Sequence, residues 1–191
     1  MFALRPDDVS LYEEKRTGGE TIYDGVVLHI IRDEVLLPNG KTKYREVARH
    51  PGAVAVVPLT DAGEVVCVRQ YRYAQGGMMF EIPAGKLERG ESDREAAARR
   101  ELREETGAVS GKFTFLGTFV SSPAILDEVI WMYLAEDLSF GQTDPDEDEF
   151  LNVVRVPLDE LCRACADGRI TDGKTQAALL KTDFILRNRR K

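Results

Sequence analysis

The sequence predicts an α+β fold, a mixed sheet with helices, preceded by a small N-terminal antiparallel β-sheet. Two observations carry that reading. Residues 20–60 are dense in β-forming residues punctuated by turn signals, whereas from Gly52 onward strand-like runs are interleaved with helical segments. Composition sets the outer bounds. The chain has 191 residues, 43% hydrophobic and 31% charged, which is the range of globular chains able to bury a sizeable core. With 26 Lys+Arg against 33 Asp+Glu, its net charge of −7 argues against non-specific binding to nucleic acid. No apolar run approaches the roughly 18–20 residues needed to cross a bilayer. Residues 1–8 lack the basic start and apolar stretch of a secretory signal. Cys67, Cys162 and Cys165 are too few for a disulfide framework, so a reducing, cytoplasmic setting is expected.

The elements follow in order. Thr21-Ile22-Tyr23 and residues 26–31 read as strands; Val35-Leu36-Leu37 runs into the turn signal Pro38-Asn39-Gly40, and residues 43–48 resume the strand. These strands form a first domain, residues 1–50. In a second, residues 51–191, the segment 53–59 reads as a buried strand, 61–64 as a turn and 65–71 as the returning strand. A glycine-bearing loop over 84–90 leads to a helix from about Ser92 to Thr106. Ser92 with Glu95 three residues on is a capping-box start, and Gly107 is a good stop. Strands are expected at 112–120 and 128–135, then an acidic loop at 144–149, a strand at 150–156, and helices at about 158–166 and 174–187.

The helix before Gly107 carries the chemistry. With Leu102 at the centre of its buried face and about 100° per residue, Ala98 falls near −40°, Glu105 near −60°, Glu101 near −100° and Glu104 near −160°. Three carboxylates thus share a wedge beside the apolar stripe. Like charges at that spacing repel, so something positive compensates. Arg100, four residues before Glu104, is one candidate; a divalent cation is the other, since Mg²⁺ takes hard oxygen ligands.

This segment resembles the signature of the Nudix hydrolase family, G-x5-E-x7-R-E-U-x-E-E-x-G-U, where U is a bulky apolar residue. Gly85, Glu91, Arg100-Glu101-Leu102, Glu104-Glu105 and Gly107 supply its fixed positions. The chain departs twice. Eight residues, 92–99, separate Glu91 from Arg100 where the signature has seven, and Ala108 replaces the last bulky residue. An extra residue at the helix start leaves Glu101, Glu104 and Glu105 unrotated relative to one another. The resemblance implies an α/β/α sandwich, with the mixed sheet between helices. It also implies hydrolysis of a nucleoside diphosphate linked to another group, by attack of water on phosphorus. Mg²⁺ would be the cofactor, with Mn²⁺ as a substitute. By position, Glu101 and Glu105 would be metal ligands, with Glu104 and the Ala84 carbonyl as further oxygen ligands. Arg100 would orient the carboxylates, and it joins Glu104 among the catalytic candidates.

Three further stretches, residues 44–56, 68–73 and 81–87, look like the ADP-ribose (ADP-sugar) pyrophosphatase branch. So does Pro123, sixteen residues after Gly107 as in that branch, although Ala124 stands where the branch has glycine. By this resemblance Arg72 and Arg69 would contact the diphosphate, for which a guanidinium is suited. Glu81 and Glu128 would lie near the terminal ribose or the metals, or else be surface carboxylates. Arg45 would reach the nucleotide of a neighbouring subunit, because members of the branch dimerise by exchanging the N-terminal sheet. The acidic run 144–149 occupies the place of a mobile loop that carries a catalytic glutamate; Glu149 and Glu147 are the candidates.

The implied products are AMP and a sugar phosphate. GDP-mannose is an alternative substrate, and a non-catalytic nucleotide-sugar-binding module is an alternative of another class. The partners expected are thus a small-molecule nucleotide sugar and a second copy of the chain, with no nucleic acid and no membrane. Cys162-Arg163-Ala164-Cys165 has metal-site spacing but no second pair, and reads as helical core.

Overall fold

The structure, a computed structural model, describes residues 9–88, 90–144 and 150–189. The chain divides into two compact units. One is built from the chain up to His50 together with Ser122–Glu128, the other from Pro51–Ser121 and the chain from Val129 onward.

The first unit follows a short helix, α1 (Val9–Tyr12), with an antiparallel sheet in the order β1 (Lys15–Asp24), β2 (His29–Leu36) and β3 (Thr42–Arg49). Gly40, at φ 79°, donates its N–H to the Leu37 carbonyl at 2.9 Å and closes the turn that Pro38-Asn39-Gly40 predicts. The strand expected over 26–31 begins only at His29. Gly25 donates to the Leu28 carbonyl at 2.9 Å, so Val26 and Val27 form the exposed tip of the β1–β2 connection. An apolar run by itself does not distinguish a strand from such a tip. Residues 122–128 are tied to β3 by Asp127, whose carboxylate accepts from the His50 N–H at 2.8 Å and from Arg49 Nη1 at 2.9 Å.

In the second unit, β4 (Ala53–Pro58) lies inside a four-stranded sheet. The order is β7 (Ala84–Lys86), β4, β9 (Val129–Phe140), β8 (Ala108–Val120), with β4 and β9 parallel. A three-stranded antiparallel sheet runs β10 (Leu151–Pro157), β5 (Glu64–Arg72), β6 (Gly77–Glu81). Every residue of β4 is buried because both of its faces are covered. Val54 and Val56 pack on Ala97, Ala98 and Leu102 of the helix α2 (Arg94–Thr106), with Leu87 and Tyr133. Ala53, Ala55 and Val57 join a second core with Cys67 and Ile82 and with residues of α3 (Leu158–Ala166) and α4 (Gly173–Arg189). The mixed sheet therefore lies between helices, as the resemblance implies. Cys162 and Cys165 are free thiols in that core. No helix among the described residues is long and apolar enough to cross a membrane.

Two details differ from the sequence reading. The α2 cap is Asp93, not Ser92: the Asp93 carboxylate accepts the N–H groups of Glu95 and Ala96 at 3.1 and 3.0 Å. The cap thus sits one residue later, which takes the extra residue into the loop. Strands β6 and β7 were not read from sequence, because five and three residues separated by Ile82-Pro83 are too short for periodicity to register.

Candidate active site

Helix α2 sets its carboxylates at graded depths. Glu105, nearest the apolar stripe, is 4% exposed and Glu101 is 9% exposed, while the Glu104 side chain keeps 26% of its surface. The angular order read from the sequence is the order of burial. Strand β7 meets this face edge on. The Ala84 N–H donates to Glu105 Oε2 at 3.3 Å. At Gly85 the next backbone position is so close that a Cβ would stand 2.0 Å from Glu101 Cδ and 2.1 Å from both of its carboxylate oxygens. Only glycine leaves room for that carboxylate.

Arg100 neutralises part of the cluster. Its Nη1 lies 2.9 Å from Glu101 Oε1 and 2.9 Å from Glu104 Oε2, its Nη2 3.4 Å from Glu91 Oε2, and its Nε 3.9 Å from Glu88 Oε1. Burial works against the guanidinium charge, but Glu101, Glu104 and Glu91 outweigh it and hold the Arg100 pKa above its ordinary value. Glu91 reaches Arg100 despite the additional residue, since only the loop before Asp93 is lengthened. Glu101 and Glu104 are held by Arg100, and among the described residues no three acidic, histidine or cysteine side chains are grouped to hold a metal ion together. The donor chemistry still fits a hard divalent cation. Glu91, Glu101, Glu104 and Glu105 outnumber the one guanidinium among them, and every donor is an oxygen.

A second charged cluster is centred on Glu81, the last residue of β6 and only 2% exposed. Arg72 grips it in a bidentate pair, Nε to Oε1 at 2.8 Å and Nη2 to Oε2 at 2.9 Å, and Lys174 Nζ donates to Oε2 as well. Lys174 is also 3.1 Å from Asp172, whose carboxylate caps α4 by accepting from the Thr175 N–H at 2.9 Å. Thr175 Oγ1 in turn accepts from the Ile82 N–H at 3.0 Å, locking β6 to the start of α4. Arg72 has its pKa raised mainly by the hydrogen bond to Glu81, against burial, and Glu105 and Asp172 add to it.

Glu81 makes stability depend on pH. Burial alone would raise its pKa, but Arg72 and Lys174 more than reverse this and hold the carboxyl down to about 2. A carboxyl depressed in the folded state stabilises above its unfolded pKa and loses that contribution as pH falls through the folded one. From an ordinary value of 4.5, the contribution amounts to about 3 kcal/mol and is expected to fade between about pH 4.5 and pH 2. Urea unfolding of the wild type and Glu81→Gln across that range checks it. The two curves should converge at the acid end, and a constant gap would assign the Glu81 contribution to packing.

The remaining predicted residues scatter. Arg69 is exposed on β5 and makes no ion pair among the described residues. Arg45 and Glu128 belong to the first unit, where Arg45 pairs with Glu14 at 2.5 Å and Glu128 Oε1 lies 3.5 Å from His50 Nδ1. Glu147 and Glu149 lie outside the described residues. Lys174 and Asp172 were missed. A signal existed: a lysine in the first turn of a helix opposes the macrodipole, so it calls for an acidic partner.

The NUDIX domain family matches residues 49–179, which include β7, α2 and the carboxylates just described. The chain belongs to the Nudix family. Relatives of this Nudix chain extend beyond the signature. It is 44% identical over 171 residues to a methanol dehydrogenase activator of Bacillus methanolicus, covering 88% of this chain and 92% of that protein. It is 42% identical over 169 residues to an ADP-ribose pyrophosphatase of Bacillus subtilis (strain 168), covering 87% and 91%. The crystal structure of an ADP compounds hydrolase matches with a TM-score of 0.83 at 25% identity, covering 94% of this chain and 97% of that one.

Proposed function

We propose that this Nudix protein hydrolyses the diphosphate bond of ADP-ribose or a related ADP-sugar to AMP and a sugar phosphate, with Mg²⁺ as its cation and Mn²⁺ as a substitute. One observation carries the catalytic reading: buried Glu101 seated on Gly85, beside buried Glu105, with Arg100 holding Glu101 and Glu104. The ADP-ribose pyrophosphatase relative and the ADP compounds hydrolase neighbour support the substrate class. When bound, the divalent cation would neutralise phosphoryl oxygens and make a coordinated water more acidic. Glu101, Glu104, Glu105 and the Ala84 carbonyl would hold it. Arg100 fixes two of those carboxylates, and Arg72 offers a guanidinium to the diphosphate. Water forms the new O–P bond while the bridging P–O bond breaks; Glu149 or Glu147 would take the proton. Arg69 would be a second diphosphate contact and Arg45 would reach the nucleotide of a neighbouring subunit, while Glu81 stays inside the protein and anchors Arg72.

Homodimerisation through the first unit belongs to the same proposal. It is supported by the exposed apolar side chains Ile22, Tyr23, Val26, Val27 and Leu28. A cytoplasmic location accords with three free thiols. Ion-pair chromatography of products from ADP-ribose, ADP-glucose, GDP-mannose, NADH and a nucleoside triphosphate tests the activity. AMP and ribose 5-phosphate from ADP-ribose, lost on chelation, are expected. GMP from GDP-mannose in their place would overturn the substrate assignment, and binding without turnover would overturn the catalytic one.

A further inference from the structure

We infer that Lys174, through its ion pair with Glu81, is a positioning residue that keeps the charge of Arg72 available for an anionic diphosphate. The inference rests on the reading of Arg72 as a diphosphate contact. Lys174 sits on the first turn of α4, far from β5 in sequence, with its side chain only 12% exposed. A buried ammonium at that end of a helix is disfavoured both by desolvation and by the macrodipole, so its position needs a compensating partner. Glu81 and Asp172 supply it.

The charge balance explains what the lysine adds. Glu81 alone with Arg72 would make a closed, neutral pair, and a guanidinium already neutralised by a bidentate carboxylate has little left for a phosphate. Lys174 brings a second cation onto the same carboxylate. Asp172 does not cancel it fully, because Asp172 is also engaged by the Thr175 N–H at the helix start, where the macrodipole favours a negative charge. Arg72 binds Glu81 through Nε and Nη2; its Nη1 makes no hydrogen bond among the described residues, and the side chain is 42% exposed. The buried side of the guanidinium is held and the remaining donors face outward from that grip. Glu81, which holds Arg72, lies three residues before Ala84, whose N–H meets Glu105 Oε2 at 3.3 Å, so the pair stands on the segment that leads into the carboxylate site. Lys174 therefore acts on substrate affinity through Arg72 without touching the substrate.

The test is a kinetic cycle with ADP-ribose and Mg²⁺, using the full chain. Lys174→Gln removes the charge and leaves a shorter side chain that still carries an N–H donor for Glu81. It is expected to raise KM roughly tenfold with a much smaller change in kcat, and Lys174→Arg is expected to restore KM. In an Arg72→Ala background, which should itself raise KM, Lys174→Gln is expected to add almost nothing. If Arg72→Ala leaves KM unchanged, the reading of Arg72 fails and the inference with it. If Arg72→Ala raises KM but Lys174→Gln alone does not, the inference fails while that reading stands. Multiplying effects in the double variant would make Lys174 an independent contact and overturn the inference. A Lys174→Gln protein that does not fold would also overturn it, by assigning the lysine to stability alone.

Discussion

Glu105→Gln is expected to abolish turnover while leaving the fold almost untouched. The side chain is buried, and its Oε2 accepts the Ala84 N–H at 3.3 Å. Glutamine has the same shape and an oxygen that can take the same hydrogen bond. It also removes one negative charge four residues after Glu101, relieving a repulsion worth a few tenths of a kcal/mol. Stability should change by less than about 1 kcal/mol. The amide is, however, a poor ligand for a hard divalent cation. Stabilisation of transition-state charge by such an ion is worth several kcal/mol, so kcat should fall by about a thousandfold or more. Steady-state rates with saturating Mg²⁺, beside thermal unfolding of the same preparation, separate the two effects. Near-full activity with an unchanged melting temperature would place the cation elsewhere.

What could be read in the sequence and what could not follows from the range over which each feature is determined. The carboxylate face of α2 is local: three glutamates within five positions of one helix have angular relations fixed by the helical repeat, and Glu105, Glu101 and Glu104 are buried in the order those angles give. The stop at Gly107 is local too. Its φ of 69° suits glycine, and its N–H closes the helix on the Arg103 carbonyl at 2.8 Å. The helix start is local but ambiguous, because Ser92 and Asp93 are both good caps. Asp93 prevails in the fold by accepting two N–H groups.

The Glu81 cluster is different in kind. Residues 72 and 81 meet only because β5 and β6 form a hairpin around the short turn Tyr73–Gln75. Residue 174 joins them only because α4 starts where Thr175 accepts from the Ile82 N–H. No spacing along the chain encodes a partner 93 residues away. Glu81 itself was visible as a candidate, with a surface carboxylate as the other possibility. The structure decides against the surface: it is buried, with two cations on it. Arg72 likewise proves to be engaged in an internal pair, with Glu81. Tertiary charge balance of this sort is invisible to a reading that weighs each residue by its own segment.

Gly85→Ala should separate the geometry of the site from the stability of the fold more sharply than removal of any carboxylate. The added Cβ would stand 2.0 Å from Glu101 Cδ, well inside contact distance, so something must move. The obstacle is the far end of a flexible side chain, not backbone, and Gly85 is not among the glycines with positive φ. Strand β7 can therefore keep its pairing with β4, in which Gly85 faces Val54, while the Glu101 carboxylate swings away. The melting temperature should change by no more than a few degrees. The rate should fall steeply, because a catalytic group misplaced by about 1 Å can cost a hundredfold. The Arg100 contact to Glu101 at 2.9 Å would be lost with it, leaving that guanidinium to Glu104 and Glu91. Raising Mg²⁺ should recover part of the activity, since a displaced carboxylate weakens the site without deleting a ligand, whereas Glu105→Gln should show no such rescue. A Gly85→Ala enzyme with wild-type kcat at ordinary Mg²⁺ would mean that Glu101 works equally well when displaced, and the close approach of β7 to α2 would then have no catalytic purpose.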